Sequence, residues 1–269
     1  MRGRAAVRIA TGKGMTDPRP LLVPIDDFGL DAEALAFLVE TAAQLGRPLQ
    51  VLLLESPRLY GVADLPFTRE ITLFGAGERD LERNLLRRHG GRARSEARER
   101  LAELAALRRV ALAFEVREGE RLGCVLRHDP GVDSWLPRRP TAAAARGVRP
   151  PALGIVLAGV PGDSAAVAAA NVLAARSGHR DLYVHSNQPW PPPALGGLAT
   201  PGLKLHRLPT TALDPPALLR LLRRLRNELL IMPRELLLTL DPLALEQAMD
   251  RAAGQLLLVD GGEPAATAP

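Results

Sequence analysis

Leu21-Leu22-Val23-Pro24-Ile25-Asp26-Asp27-Phe28-Gly29 opens the folded part of the chain. Its first five residues form a short apolar run of the kind that makes a strand buried on both faces. Asp26-Asp27-Phe28-Gly29 is turn chemistry,. A helix is expected from Asp31, because Leu35, Leu38, Val39, Ala42 and Leu45 recur at helical spacing and make one apolar face,. Gly46 stands where a glycine closes a helix,. Leu49 to Leu54 is the next apolar run. Strand, helix and strand in so short a stretch predict a βαβ unit with its two strands parallel.

The same unit is expected a second time. Leu153 to Ala158 is apolar, Gly159-Val160-Pro161-Gly162 is a turn, and Asp163-Ser164 starts a helix that Gly178 ends,. Leu182 to His185 is its following strand. Asp31 to Gly46 and Asp163 to Gly178 each span 15 positions, at an offset of 132. Val132-Asp133-Ser134-Trp135-Leu136-Pro137-Arg138 also resembles the stretch ending Leu230-Ile231-Met232-Pro233-Arg234, at an offset of 96. The second copy therefore lacks about 36 residues between these landmarks,. In the first copy that piece is an expected long amphipathic helix over 80–107, hinged at Gly90-Gly91. The second copy has Gln188-Pro-Trp-Pro-Pro-Pro there, which cannot be helix interior,.

Further strands are expected at 110–116, 203–208, 229–232 and 255–259, and further helices at 216–226 and 241–253. Residues 121–128 allow only a short helix, so the first copy has room for a missing helix and strand whose edge the second copy could supply. The expected fold class is α/β: two Rossmann-like open parallel sheets with flanking helices, in tandem. The expected domains are 19–140 and a shortened 151–262, with a linker at 141–150.

Composition narrows the function. The 269 residues carry 35 basic and 30 acidic side chains, a formal charge of +5. Only nine residues are aromatic, too few for the base-stacking platforms of single-strand binders,. One cysteine, Cys124, excludes a disulfide framework and multi-cysteine zinc sites, and it reads as a small buried hydrophobe,. None of the five histidines pairs with another at helical metal-site spacing,. No secretory signal or membrane-length apolar run is present, so a cytoplasmic chain is expected,.

The charge excess lies in residues 1–150, with 25 basic against 20 acidic groups, while 151–269 hold ten of each. Seven arginines between Arg83 and Arg100 face only Glu96 and Glu99. They read first as the solvated face of a helix and second as a polyanion patch, with no groove-reading motif beside it. Arg220, Arg223, Arg224 and Arg226 likewise read as a solvated face.

The stretches Leu21–Asp26, Asp31–Gly46, Leu49–Glu55, Ala63–Ile71 and Phe114–Gly119 together resemble the universal stress protein family over most of residues 19–119. Residues 153–187 and 203–259 match it in layout. The resemblance implies a five-stranded parallel α/β sheet and a dimer, which a tandem chain can form within itself as a pseudo-dimer. It also implies a stress-response or signalling role through protein partners. ATP-binding members carry an aspartate after the first strand and a glycine motif after the fourth, whose backbone N–H groups close on phosphate. Asp26 matches the aspartate, with Asp27 beside it; the second copy has Val160 near that place. The glycine motif is absent: strand four is followed by Pro137-Arg138 in one copy and Pro233-Arg234 in the other. Proline offers no N–H. The expectation is therefore a non-catalytic chain without the ATP loop and without a metal. The alternative is a nucleotide-binding protein or weak ATPase using Asp26, Arg138 and Arg234. Gly159, Gly162, Asp163 and Ser164 form a strand-to-helix turn that reads as an N-cap or, alternatively, an anion seat,.

Overall fold

The computed structural model describes residues 19–26, 32–55, 57–65, 68–71, 78–80, 83–127, 131–137, 152–210, 212–225, 228–252 and 254–261. In chain order the first half contains β1 (Leu21–Ile25), α1 (Ala32–Leu45), β2 (Leu49–Glu55), α2 (Pro57–Ala63), β3 (Arg69–Ile71), β4 (Glu78–Asp80), α3 (Arg83–Arg108), β5 (Leu112–Glu118), α4 (Arg121–Leu126) and β6 (Asp133–Leu136). The second half contains β7 (Ala152–Leu157), α5 (Asp163–Ser177), β8 (Asp181–Ser186), a 3₁₀ turn at Pro193–Gly197, β9 (Lys204–Pro209), α6 (Pro215–Arg224), β10 (Glu228–Pro233), α7 (Glu235–Leu238), α8 (Pro242–Arg251) and β11 (Gln255–Val259).

Nine of these strands form one sheet in the order β5-β2-β1-β6-β11-β10-β7-β8-β9. The order is palindromic about β11: each half contributes third, second, first and fourth strands, and β11 fills the middle. Every pairing is parallel except β6 with β11, where Leu136, Trp135 and Ser134 face Leu256, Leu257 and Leu258 antiparallel. The α/β class and the parallel order agree with the sequence reading. The two expected sheets are joined edge to edge: among the described residues the first half contributes four strands to this sheet, and β11 of the second half pairs with its fourth. The expected linker at 141–150 lies outside the described residues.

Helices cover both faces, as an apolar strand run requires. On one face Leu21, Val23, Ile25, Val51 and Leu53 pack with Leu35, Leu38 and Ala42 of α1 and with Ala166, Ala170 and Leu173 of α5. On the other, Leu22, Leu52, Leu230, Met232, Leu256 and Leu258 pack with Leu122 of α4, Leu218 and Leu222 of α6 and Leu245 of α8. The helix stops fall where the glycines stand, with Gly46 at φ +66° and Gly178 at φ +67°, a region that costs other residues a steric clash,. Helix α3 runs unbroken through Gly90-Gly91, so the expected hinge is absent. Leu101 and Ala105 of α3 are buried, whereas Leu107 is 79 % exposed. Both outer strands carry charges, Arg117 and Glu118 on β5 and Lys204 and Arg207 on β9, which discourages edge-to-edge association,.

Ser134 on β6 is fully buried, and its Oγ has no hydrogen-bond partner among the described residues. Its register partners Leu22 and Leu258 belong to the second apolar cluster. Removing an unsatisfied buried hydroxyl is favourable, so Ser134→Ala is expected to raise the unfolding free energy by about 1 kcal/mol. Urea denaturation at unchanged slope measures this; a loss of stability would reveal a partner for the hydroxyl.

Candidate functional site

The strand ends decide where ligand chemistry can gather. In open α/β sheets that place is the crevice outside the carboxyl ends of the strands. β1 runs parallel to β6, β6 antiparallel to β11, and β11 parallel to β10 and β7. The carboxyl ends of β1 and β7 therefore point to opposite edges of the sheet. Asp26, buried after β1, lies at one edge. Gly159, Gly162, Asp163 and Ser164, after β7, lie at the other together with Arg234, after β10. The sequence-derived residues thus separate into two groups that cannot share a ligand. Asp27 and Arg138 lie outside the described residues.

The β7–α5 turn is closed by its own aspartate. Asp163, the first residue of α5, is 5 % exposed. Its Oδ2 accepts from Gly159 N at 2.8 Å and from Gln188 Nε2 at 3.2 Å, and its Oδ1 accepts from Ala158 N at 3.2 Å. Gly159 is glycine because the turn needs φ +79°,. The Ser164 hydroxyl is exposed and donates to Pro161 O at 3.3 Å. A carboxylate at a helix start is favourable, because it faces the positive end of the helix dipole. It also occupies amides that an incoming anion would need.

The space facing this turn is filled. A Cβ on Gly162 would lie 2.8 Å from Pro233 Cβ, and one on Gly261 would lie 2.7 Å from Gly162 N. Pro233 and the chain after β11 therefore press directly on the turn. Arg234 is 6 % exposed. Its Nη2 donates to Leu126 O at the end of α4 at 2.7 Å, and its Nη1 approaches Asp260 Oδ2 at 3.4 Å. The contact with Leu126 ties the second half to the first.

A polar seam runs on from there. Asp260 Oδ2 accepts from Gly131 N at 2.9 Å, and Asp260 N donates to Asp133 Oδ1 at 2.8 Å. Asp133 Oδ2 is paired with Arg47. Trp135 Nε1 donates to Gln255 Oε1 at 3.0 Å inside the sheet. On the helix layer Arg176 donates to the carbonyls of Ala43 and Gln44, and Ser177 Oγ to Gln44 Oε1 at 2.6 Å. Sequence reasoning missed Asp133, Gln255 and Asp260. Each is an ordinary residue at a strand end, and its partner is fixed only by the β6–β11 pairing.

The remaining candidates are quiet. Burial pushes the Cys124 thiol up despite nearby Arg127 and Arg117, which keeps it protonated and weakly nucleophilic,. Burial holds the His185 and His179 imidazoles down, favouring their neutral forms,. Among the described residues no cluster of three metal-ligating side chains occurs, and no helix is long and apolar enough to cross a membrane. A cleft of about 270 Å³ lies among Gly46, Arg47, Arg108 and Arg109. Arg47 there is held by Asp133, and Arg108 by Glu40 at 3.0 Å. Along α3, Arg92 pairs with Glu96, Arg94 with Glu55 and Arg100 with Glu103, and Arg98 lies 5.2 Å over the Phe114 ring. Four of the seven arginines in the Arg83–Arg100 run are thus engaged by groups of the protein itself.

No protein-family model matches the chain, and no curated protein does. Among solved structures, a universal stress protein from Archaeoglobus fulgidus DSM 4304 is similar at 10 % identity and a TM-score of 0.48. The match covers 90 % of this chain and 97 % of that one.

Proposed function

We propose that the chain is a non-catalytic, universal stress protein-like module that carries its own dimer partner in one polypeptide. It works in the cytoplasm, in stress response or signalling, through contacts with other proteins. The observation that carries this reading is the closed turn of the second half. Asp163 takes the amides of Ala158 and Gly159, and Pro233 packs on Gly162. A triphosphate needs free backbone N–H groups and open approach at such a turn. Here it would meet a carboxylate, with like charge opposing it, and a ring that donates nothing. The single sheet supports the pseudo-dimer, because β11 completes both halves at once.

The first half keeps Asp26 at the end of β1, so the test is aimed there. Calorimetric titration with ATP, with and without magnesium, is expected to be flat. Binding tighter than roughly 100 μM, about 5.5 kcal/mol, that disappears in Asp26→Asn would overturn the reading and make the chain a nucleotide binder. Thermal melting of the variant separates a lost site from a lost fold.

A further inference from the structure

Arg220, Arg223 and Arg224 stand at i, i+3 and i+4 on α6, a spacing that gathers side chains on a single face about 5–6 Å apart at Cβ,. All three are exposed, and among the described residues none of their side chains makes an ion pair or hydrogen bond. Helix α6 contains no carboxylate to answer them. The second half is formally neutral, with ten basic and ten acidic groups, and five of its carboxylates are committed elsewhere. Asp214 and Asp241 cap helices by accepting from Ala217 N at 2.9 Å and Ala244 N at 2.7 Å. Asp163 closes its turn, Asp181 holds His206 at 2.7 Å, and Asp260 belongs to the seam. The negative end of the helix dipole offsets only about half a charge of the three. Roughly two and a half positive charges therefore remain on one turn of helix.

We propose that this face of α6 docks an acidic segment of a partner protein, a run of glutamates or aspartates whose carboxylates meet the three guanidinium forks. This rests on the reading of the chain as a protein-contact module. Guanidinium binds carboxylate through two parallel N–H donors, so three arginines on one turn fit a short acidic run. Helix α8, which packs on α6, carries Glu246 and Asp250, so the basic patch is confined to the one turn that bears the three arginines. No aromatic side chain lies on α6 to stack a base,.

The test is fluorescence anisotropy at low salt with a labelled hexaglutamate peptide and the full chain. The same titration is run on Arg220→Gln/Arg223→Gln/Arg224→Gln and on a control, Arg92→Gln/Arg100→Gln, which removes arginines already paired. A short DNA duplex is titrated in parallel. Peptide affinity is expected to fall about tenfold in the α6 variant and to stay unchanged in the control. Equal peptide binding by wild type and the α6 variant would overturn the proposal, as would no peptide binding at all. Tighter binding of the duplex, lost in the α6 variant, would overturn it in favour of nucleic acid. A failed peptide titration beside a flat ATP titration removes this surface and leaves the module reading. An ATP site removes the module reading whatever the peptide does.

Discussion

A chain stopped after Gly254, lacking β11, is expected to lose cooperative folding altogether. β11 is the central strand of nine and pairs on both sides, with β10 over Gln255–Val259 and with β6 at Leu256–Leu258. Leu256, Leu257, Leu258 and Val259 are each 0–1 % exposed, two facing each apolar layer. Losing four such side chains forfeits about 6–12 kcal/mol of burial. That is comparable with the whole stability of a typical domain. The cut also leaves two strand edges open in the middle of the sheet, β6 and β10, and such edges template aggregation. Far-UV circular dichroism and thermal melting of the truncated chain are the measurement. A soluble protein with near full-length helix signal and one sharp transition would show that the halves fold independently and that β11 only decorates them. The first half alone lacks the same strand, so residues 1–150 are expected to fail in the same way.

This dependence explains which parts of the architecture were legible beforehand. β1, α1 and β2, and again β7, α5 and β8, follow from local pattern: apolar runs, a 3.6-residue stripe and a closing glycine. Local patterns are what a single sequence displays. The antiparallel pair β3–β4 was not legible, because its strands have three residues each and no alternation to read. The joining of the two halves was only anticipated as a vacancy. The short 119–150 segment leaves room for a missing helix and strand, but nothing local says that Trp135 faces Leu257 more than 120 positions away. The site divides in the same way. Asp163 was recognised as a helix start, yet its inward turn onto the amides of Ala158 and Gly159 depends on Gln188 and on the φ of Gly159. Arg234, by its position after a proline, offers a ligand group only in the alternative reading of the sequence. Its guanidinium reaches Leu126 O, a contact that exists only because α4 of the other half lies there.

Trp135→Ala is expected to cost about 3–5 kcal/mol, the largest effect of any single truncation in the seam. Trp135 is fully buried on β6 between β1 and β11. Its ring meets Phe37 edge-on, at 5.7 Å between centroids and 60° between planes, and its indole N–H donates to Gln255 at 3.0 Å. The side chain therefore joins α1 of one half to β11 of the other through packing and a hydrogen bond together. Two further variants separate these contributions. Trp135→Phe keeps an aromatic ring against Phe37 but strands the buried Gln255 acceptor, for a loss of about 1–3 kcal/mol. Adding Gln255→Leu to that variant removes the stranded group and is expected to return part of the loss. Urea unfolding followed by circular dichroism reads all three, and one transition with a common midpoint for both halves is expected throughout. If Trp135→Ala cost less than about 1 kcal/mol, the seam would have to be held by the Arg47–Asp133–Asp260–Arg234 chain instead. A second, separate transition in Trp135→Ala would mean that this one indole keeps two otherwise independent halves in step.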